Sequence, residues 1–183
     1  MSKVDIKKFV TNAPVGKIVK VKFNNGKNYE LVKYHDGIVG MRDCPFEHVM
    51  NEDWRKKADW NTSDLKPYLE KWFEENAPKE LVELCNVTIP SMTNIFGKKY
   101  KDWHHDDESQ FQFEYFKDWH NRVKSVLTNN NKECGDWYWT KSPFAGGSGL
   151  FCVVYSNGGA SYYVANVSYG VAPCFCLKIG FNL

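Results

Sequence analysis

The stretch WYWTKSPFAGGSGLFCVVYSNGGASYYVANVSYG, residues 137–170, decides the fold class, because runs of aromatic and β-branched residues alternate in it with glycine-rich turns. All 22 acidic residues lie at or before Asp136, and the 47 residues from 137 to 183 contain eleven aromatic residues but two charges, Lys141 and Lys178. Such a segment is either buried or built to contact a partner. Its pattern predicts a C-terminal antiparallel β-region with long loops and strands at 150–155, 160–164 and 171–179.

Alternation of polar and apolar residues also marks the N-terminal part of the chain. The predicted strands are 17–23, 28–32 and 38–41. Asn24-Asn25-Gly26 joins the first two and tolerates a positive φ, and His35-Asp36-Gly37 joins the second to the third. We therefore predict a three-stranded β-meander, preceded by residues 1–14 as an arm or a short helix.

Helical spacing follows in the middle of the chain. Asn61-Thr62-Ser63-Asp64 is typical of a helix N-cap, and apolar residues follow it with the spacing of one helix face. These residues are Leu65, Tyr68, Leu69, Trp72 and Phe73. A second short helix is predicted over 78–84 and a third over the aromatic residues of 111–119. The chain is therefore predicted to be α+β with two or three helices, and residues 15–183 to form a single domain.

The composition excludes several classes of protein. With 43% hydrophobic and 16% aromatic residues, the chain is not a disordered protein, a coiled coil or a collagen-like fibre. A net charge of +2 gives no general electrostatic reason to expect nucleic acid or an anionic membrane as a partner. No run approaches the roughly 18 apolar residues of a membrane span, and no apolar signal core follows the first residues. We expect a protein that is cytoplasmic when made, without Sec export or membrane insertion.

The six cysteines show neither a disulfide framework nor a metal motif. Cys174 and Cys176 stand two apart, where a strand places both on one face with Cα atoms about 6.5–7 Å apart. We predict free thiols in small apolar packing positions. No histidine lies at a recognisable offset from a cysteine, and phosphate-loop, dinucleotide and nucleophile-elbow motifs are absent. No catalytic residue and no cofactor are therefore predicted.

One segment groups side chains that can bind metals: WHHDDE, residues 103–108, with His120 next to the last aromatic residue of the third predicted helix. Zinc or another divalent ion is conceivable for such residues. However, neighbours on one segment point in different directions, and no H-E-x-x-H or His/Cys spacing accompanies them. The sequence favours a solvated acidic loop over a metal site built from His104, His105 and Asp106.

The tail remains as the candidate contact surface. Antibody-like binding loops are rich in Tyr, Ser, Gly and Asn, because Tyr gives a large contact area at little entropic cost and small polar residues adapt. The same residues suit a buried β-core, which we expect for Trp137, Trp139, Phe151, Val153 and Phe175. The predicted ligand-binding residues are Phe144, Ser148, Tyr155, Asn157, Ser161, Tyr162, Tyr163, Asn166, Ser168 and Tyr169.

Several segments, in this order, resemble a known domain. They are DWNTSDLKPYL at 59–69, VTIPS at 87–91, WYWTKSP at 137–143 and GVAPCF at 170–175. Together they resemble an uncharacterised domain of bacterial and phage proteins with W-x-x-S-x-L-R-x-x-L, V-x-L-x-S, W-L-R-S-P and G-V-R-P-x-F segments. Lys141 and Ala172 stand where that family has arginine. The domain is in turn similar to the C-type-lectin-like fold shared by formylglycine-generating enzymes and the variable proteins of diversity-generating retroelements.

This resemblance implies a C-type-lectin-like fold and a function in recognition. The variable proteins end in a tryptophan-bearing strand and a loop-rich segment of diversified residues, which residues 144–169 resemble. We therefore expect a variable protein or a phage tail-associated receptor-binding protein on a virion or cell surface, with a protein or glycan ligand on a cell surface. The calcium-lectin signatures E-P-N, Q-P-D and W-N-D are absent, so calcium-mediated sugar binding is not implied.

Two alternatives stay open at this stage. The first is an oxidase of the formylglycine-generating type that uses Cys174 or Cys176, although these two are only a superficial substitute for that enzyme's cysteine pair. The second is a purely structural virion component, which would self-assemble. Homo-oligomerisation of the chain is also left open.

Overall fold

The structure, a computed structural model, describes residues 4–106, 110–128 and 135–178. These residues form an α+β fold with two five-stranded sheets, which confirms the predicted class. The α-helices are α1 (Ile6–Asn12), α2 (Leu65–Asn76), α3 (Lys79–Leu84) and α4 (Met92–Phe96). The strands are β1 (Ile18–Lys22), β2 (Asn28–His35), β3 (Ile38–Met41), β4 (Phe46–His48), β5 (Cys85–Thr88), β6 (Tyr138–Pro143), β7 (Leu150–Val154), β8 (Ala160–Val164), β9 (Tyr169–Val171) and β10 (Cys174–Leu177). Short 3₁₀ segments cover Trp60–Thr62, Gly97–Trp103, Glu114–Lys117 and Trp119–Arg122.

The first sheet has the strand order β1-β2-β3-β10-β5. Its first three strands are the predicted meander, in which Ile18 lies opposite Val32 and Val32 lies opposite Gly40. Gly26 and Gly37 close the two turns with φ of +81° and +64°, a region that favours glycine. β10, the last strand of the described residues, lies between β3 and β5. The C-terminal part of the chain thus pairs with the N-terminal meander in one sheet.

The second sheet has the strand order β4-β9-β6-β7-β8. β7 and β8 form the predicted hairpin, with Leu150 opposite Val164 and Val154 opposite Ala160. The pairing of β6 with β9 is parallel, so the C-terminal β-region is not wholly antiparallel as predicted. Among the described residues, β8 ends the sheet and pairs with β7 alone.

The single strand predicted over 171–179 is wrong. The structure divides this segment between the two sheets: β9 ends at Val171 in the second sheet, and β10 begins at Cys174 in the first. Pro173 lies between them and has no N–H to donate to a strand ladder. Its carbonyl instead accepts a hydrogen bond from the backbone N–H of Met41 at 3.0 Å. The break therefore lets one short segment join both sheets.

The apolar side chains of the described residues form three clusters in the interior. The first joins the first sheet to α1, α2 and α3 and includes Phe73 and Phe175. The second draws residues from both sheets and α4, and the third packs α2 against the second sheet around Trp139 and Phe151. Trp139, Phe151, Val153 and Phe175 are fully buried, which confirms the core prediction for these four.

The N-terminal segment is a short helix packed on the core. In α1, Ile6, Phe9 and Val10 are buried in the first cluster, and the Asp5 carboxylate caps the helix by accepting from the N–H of Lys8 at 2.8 Å. This settles the choice between an arm and a helix, because an arm would leave these apolar residues in solvent.

The helix predicted over 111–119 is wrong. Two 3₁₀ segments occupy the region, and Asp118 between them is extended, with φ of −76° and ψ of 117°. Phe111 and Trp119 expose 48% and 54% of their surface while Phe116 is buried, so the aromatic spacing does not mark one buried helix face. Phe116 is fixed instead by contact with Tyr34, at 4.8 Å between ring centroids.

The number of helices also differs from the prediction. The described ranges contain four α-helices, and α4 was not predicted. α4 is only five residues long, so its apolar spacing gives little signal. None of the helices in the described ranges has both the length and the apolar character to cross a membrane.

Candidate recognition surface

The turn between β7 and β8 sets the position of the predicted surface. Gly158 has a φ of +79°, and its N–H donates to the Tyr155 carbonyl at 2.9 Å. The N–H of Tyr155 donates to the Gly159 carbonyl at 2.7 Å, and the Asn157 side chain accepts from the N–H of Gly159 at 3.0 Å. These bonds hold one side of β8 against β7 and leave its other side outermost in the sheet.

One face of β8 carries a group of rings that we call the Tyr162 cluster: Tyr162, Phe144 and Trp103. The rings of Tyr162 and Phe144 stack with centroids 3.7 Å apart and an angle of 10° between their planes. Trp103 meets both edge-on, at 6.0 Å from Tyr162 and 5.9 Å from Phe144. The N–H of Phe144 donates to the Leu150 carbonyl at 2.9 Å, and that of Ala145 to the Trp103 carbonyl at 2.7 Å. The backbone thus fixes the loop that presents these rings.

The opposite face carries the Tyr163 cluster: Tyr163, Trp137, Tyr155 and Tyr169. Successive strand residues point to opposite faces, so Tyr163 lies across β8 from Tyr162. The ring of Trp137 lies 4.3 Å from Tyr155, 5.3 Å from Tyr169 and 6.0 Å from Tyr163, between centroids. Burial raises the pKa of Tyr169 to about 12, and the phenols of Tyr163 and Tyr155 act in the same direction. Its hydroxyl therefore stays protonated further into the alkaline range than that of an exposed tyrosine.

Each of the ten predicted ligand-binding residues is at least partly exposed. The exposed ones are Ser148, Asn157, Tyr162, Tyr163, Asn166 and Ser168. The half-buried ones are Phe144, Tyr155, Ser161 and Tyr169. Tyr162 and Tyr163 each expose 42% of their surface, so neither is a core residue.

These ten residues do not form one continuous patch. Ser148 lies in the loop before β7 and Asn157 in the turn after it, at opposite ends of a hairpin whose five-residue strands span about 17 Å. Asn166 and Ser168 lie in the connection from β8 to β9. The tertiary structure gathers the rings into two clusters and spreads the small polar residues around them.

Two tryptophans of this surface are absent from the residues predicted to bind a ligand. Trp137, predicted as core, is only half-buried and lies between the rings of Tyr155 and Tyr169. Trp103, which belongs to the metal-capable segment of the sequence, is half-buried against Tyr162. No sequence signal connects Trp103 to β8, because the contact depends on how distant segments pack.

The prediction of a solvated acidic loop is wrong for Asp106. Its side chain is 5% exposed. One carboxylate oxygen accepts from the N–H and the hydroxyl of Thr93, both at 2.9 Å. The other accepts from the Ser142 hydroxyl at 2.5 Å, and that hydroxyl accepts from the N–H of Met92 at 2.8 Å. Asp106 and Ser142 therefore satisfy the first N–H groups of α4, which a helix cannot satisfy by itself.

His104 is buried beside this carboxylate. Its Nδ1 lies 3.2 Å from Asp106 Oδ2, and its side chain is 5% exposed. Burial lowers the pKa of His104, and its Nε2 is buried without a hydrogen-bond partner among the described residues. In the described ranges, no group of three or more His, Cys, Asp or Glu side chains is placed to hold a metal ion. Asp107 and Glu108 of the predicted loop lie outside the described residues.

The cysteines within the described ranges are free thiols, as predicted. They are Cys44, Cys85, Cys152, Cys174 and Cys176; Cys134 lies outside the described residues. Cys174 is buried and Cys176 half-buried, and both pack in the second cluster, on one face of β10. The Cys174 thiol donates to Cys176, which raises the pKa of Cys174 and lowers that of Cys176. The pair thus contains one half-buried, acidified thiol.

The segments that carry the family resemblance build the scaffold. The Ser142 hydroxyl caps α4, and the indole N–H of Trp139 donates to the His48 carbonyl at 2.9 Å. A Cβ at Gly170 would lie 2.9 Å from the sulfur of Cys44, so this position requires glycine for close packing. These residues hold the two sheets and α4 together beneath the rings.

One family comparison matches the chain: a model described as "Domain of unknown function (DUF6273)" matches residues 84–179. The matched range begins at the end of α3 and includes the α4 cap and both ring clusters. No curated protein and no solved structure matches the chain.

Proposed function

Because the chain belongs to the family of the domain of unknown function DUF6273, we propose its function from the surface that the matched residues build: non-catalytic recognition of a ligand. The observation that carries this proposal is the pair of partly exposed ring clusters on the two faces of β8. Rigid aromatic rings set on a hydrogen-bonded sheet edge give contact area at low entropic cost.

The surface is preorganised for binding. Both clusters rest on fully buried neighbours, since Phe151, Cys152, Val153 and Val154 of β7 have no exposed surface. The connection after β8 is also anchored, because the Ala165 carbonyl accepts from the N–H groups of Met50 and Asn51 at 2.8 and 3.0 Å. A ligand would thus meet side chains that are already in place, which reduces the ordering cost of association.

The same proposal includes the fold and the setting. We infer a C-type-lectin-like fold, supported by the tryptophan-bearing strand β6 followed by a segment whose predicted contact residues all reach the surface. The setting would be a bacterial variable protein or a phage tail-associated receptor-binding protein, on a virion or cell surface. Its ligand would be a protein or a glycan on a cell surface.

The test compares binding of labelled wild-type protein with that of the double variant Tyr162→Ala, Tyr163→Ala on a glycan array and a panel of intact bacterial cells. We expect at least a tenfold loss of binding in the double variant, because it removes one ring from each cluster. Tyr68→Ala is the matched control, since Tyr68 lies on α2 and exposes the same 42% of its surface. Equal binding by the double variant contradicts the proposal, as does a wild-type chain that binds no glycan, no cell and no immobilised peptide.

One observation favours a second candidate, an oxidase of the formylglycine-generating type: Cys176 is half-buried and its pKa is lowered by the Cys174 thiol. The full burial of Cys174 argues against it, because a substrate cannot reach that sulfur. Under the recognition proposal, oxygen consumption with copper and a thiol peptide stays at background. Consumption that Cys176→Ser abolishes would replace recognition with catalysis.

A third candidate, the purely structural virion component, predicts self-assembly without a soluble ligand. Sedimentation of the purified chain across a range of concentrations distinguishes this structural role from recognition of a ligand. Assembly into large particles by a chain that binds no glycan, cell or peptide would favour the structural role.

A further inference from the structure

The outer edge of β8 presents backbone groups that nothing in the described part of the chain uses. The N–H of Ala165 donates to the Gly149 carbonyl, and that of Tyr155 to the Gly159 carbonyl, at the two ends of the hairpin. Both bonds fit one antiparallel register, in which the backbone N–H and C=O groups of residues 161 and 163 point towards β7. Ala160, Tyr162 and Val164 therefore direct their N–H and C=O groups away from the sheet.

Some of these outward groups lack any partner among the described residues. The Val164 carbonyl accepts from the N–H of Val167 at 3.4 Å, which leaves its second lone pair. No hydrogen bond in the described ranges engages the outward groups of Ala160 or Tyr162. A row of unpaired strand groups is a template on which another strand can pair.

Charge distinguishes this edge from the edge of the first sheet. β1 is the first strand of that sheet and carries exposed Lys20 and Lys22, the kind of side chain that keeps other strands away from an edge. β8 has the sequence ASYYV, and neither it nor its partner β7 contains a charged residue. An arriving strand would meet no charged side chain of β7 or β8, so an uncharged segment fits this edge best.

The two ring clusters supply the side-chain contacts that such a strand needs. Alternate residues of an added strand would project to the two faces of the sheet. On one face they would lie beside Tyr162, with Phe144 and Trp103 behind it, and on the other beside Tyr163 and Trp137. Backbone bonds would then give affinity, and the rings would select apolar or aromatic side chains on both faces.

We propose that β8 binds an extended, uncharged segment of a protein ligand as a sixth strand of the second sheet. The inference rests on the proposed recognition function and narrows its ligand class from protein or glycan to polypeptide. The added strand would also bond to the outward N–H and C=O groups of Ala160 and Tyr162, which the ring contacts do not engage.

The test uses a library of immobilised ten-residue peptides with uncharged, alternating apolar sequences, probed with the full chain. We expect binders, and we expect N-methylation of alternate residues of a binder to lower its affinity at least tenfold in one register and to leave it unchanged in the other. Only a strand whose alternate N–H groups face the edge shows this difference between registers.

A protein variant tests the same bond from the other side. Ala160→Pro removes an outward N–H and is tolerated at a sheet edge, because that N–H makes no ladder bond. We expect it to weaken peptide binding about tenfold, while the matched variant Ala160→Ser, which keeps the N–H, binds like wild type. The melting temperatures of both variants should match that of the wild type, which shows that the hairpin is intact.

The outcomes separate this inference from the proposed function. Binding to glycans or cells but not to peptides, or peptide binding that ignores both N-methylation and Ala160→Pro, overturns strand addition and leaves recognition standing. Binding to none of the three overturns both. A dimer of the chain that Ala160→Pro dissociates would show that a second copy takes the edge instead, which also overturns the inference.

Discussion

Tyr34 in the interior and Tyr162 on β8 show two uses of the same side chain. The Tyr34 hydroxyl donates to the Met41 carbonyl at 2.5 Å and accepts from the Lys124 ammonium at 2.9 Å. No hydrogen bond in the described part of the chain engages the hydroxyl of Tyr162 or Tyr163, and both rings reach the surface. The buried tyrosine contributes its polar atom to the fold, whereas the surface tyrosines keep theirs for solvent or a ligand.

The physical reason is the cost of burying a polar group. A buried hydroxyl without a partner destabilises the fold, so a ring can be internal only where a partner is placed. Tyr138 meets this condition, because its hydroxyl donates to the Arg122 carbonyl at 2.8 Å. Tyr138 and Tyr162 belong to the same aromatic tail, so residue type alone did not separate core from surface.

The largest expected effect on stability comes from replacing the buried tyrosine, Tyr34. Tyr34→Ala should lower the free energy of unfolding by about 3–5 kcal/mol, because it leaves a cavity and removes an acceptor from the buried Lys124 ammonium. Urea unfolding followed by tryptophan fluorescence measures the loss. Tyr68→Ala, on the surface of α2, is the control and should change the free energy of unfolding by less than about 1 kcal/mol. Similar losses of free energy of unfolding in the two variants would contradict the distinction between buried and exposed tyrosines.

The pH dependence of stability probes the buried thiols that surround Tyr34 and line β7. Burial raises the pKa of Cys44 far above its usual range and that of Cys152 to about 12. These folded-state values lie above those of the unfolded chain, where thiols ionise near pH ~8.5. The contribution of these thiols to the free energy of unfolding is therefore fully present below about pH 8.5 and is lost as the pH rises towards 12.

The titration of Lys124 changes the free energy of unfolding in the opposite direction over part of this pH range. Burial lowers its pKa to about 8, so deprotonation in the folded state adds stability between about pH 8 and 10.5. Cys85, whose pKa burial also raises to about 12, acts with the other thiols. We expect a net fall in the free energy of unfolding above about pH 9.

Cys44→Ala isolates one of these groups. The variant should make the decline shallower by up to about 1.4 kcal/mol per pH unit between about pH 9.5 and 11, because one titrating group is removed. Urea unfolding at a series of pH values gives the slope. An unchanged slope would mean that the Cys44 thiol ionises equally in both states, contrary to its burial.

The smallest expected effect on stability comes from replacing the exposed tyrosines, Tyr162 and Tyr163. The double variant Tyr162→Ala, Tyr163→Ala should lower the free energy of unfolding by no more than about 1 kcal/mol, because the rings make surface contacts and leave no cavity. The same urea titration measures it. A loss as large as that of Tyr34→Ala would make these rings part of the core and would weaken the proposed binding surface.

The sequence predicted the parts of the fold that depend on local patterns. Polar and apolar alternation over 17–23 and the turn at Asn24-Asn25-Gly26 predicted the first hairpin, because a period of two and a positive φ are local properties. Helical spacing predicted α2, in which Leu65, Leu69 and Phe73 are buried. Local patterns failed over 111–119, where the packing of individual rings determines the backbone.

The candidate surface was predicted only in part for the same reason. Its tyrosines and small polar residues are adjacent in sequence, so composition identified the segment. Trp103 reaches Tyr162 only because the segment after α4 packs against the loop that carries Phe144. Asp106, which looked like a loop residue, is buried because α4 needs partners for its first N–H groups.

The sequence by itself therefore determined the fold class, the meander, the hairpin of β7 and β8, and the segment that carries the rings. Only the tertiary structure decided that the final strand divides at Pro173, with β9 in one sheet and β10 in the other. It also decided that β8 lies at an edge and that distant tryptophans complete its two clusters. Strand order and ring contacts arise from pairing between distant segments, and the free energy of those pairings is not a property of any local stretch.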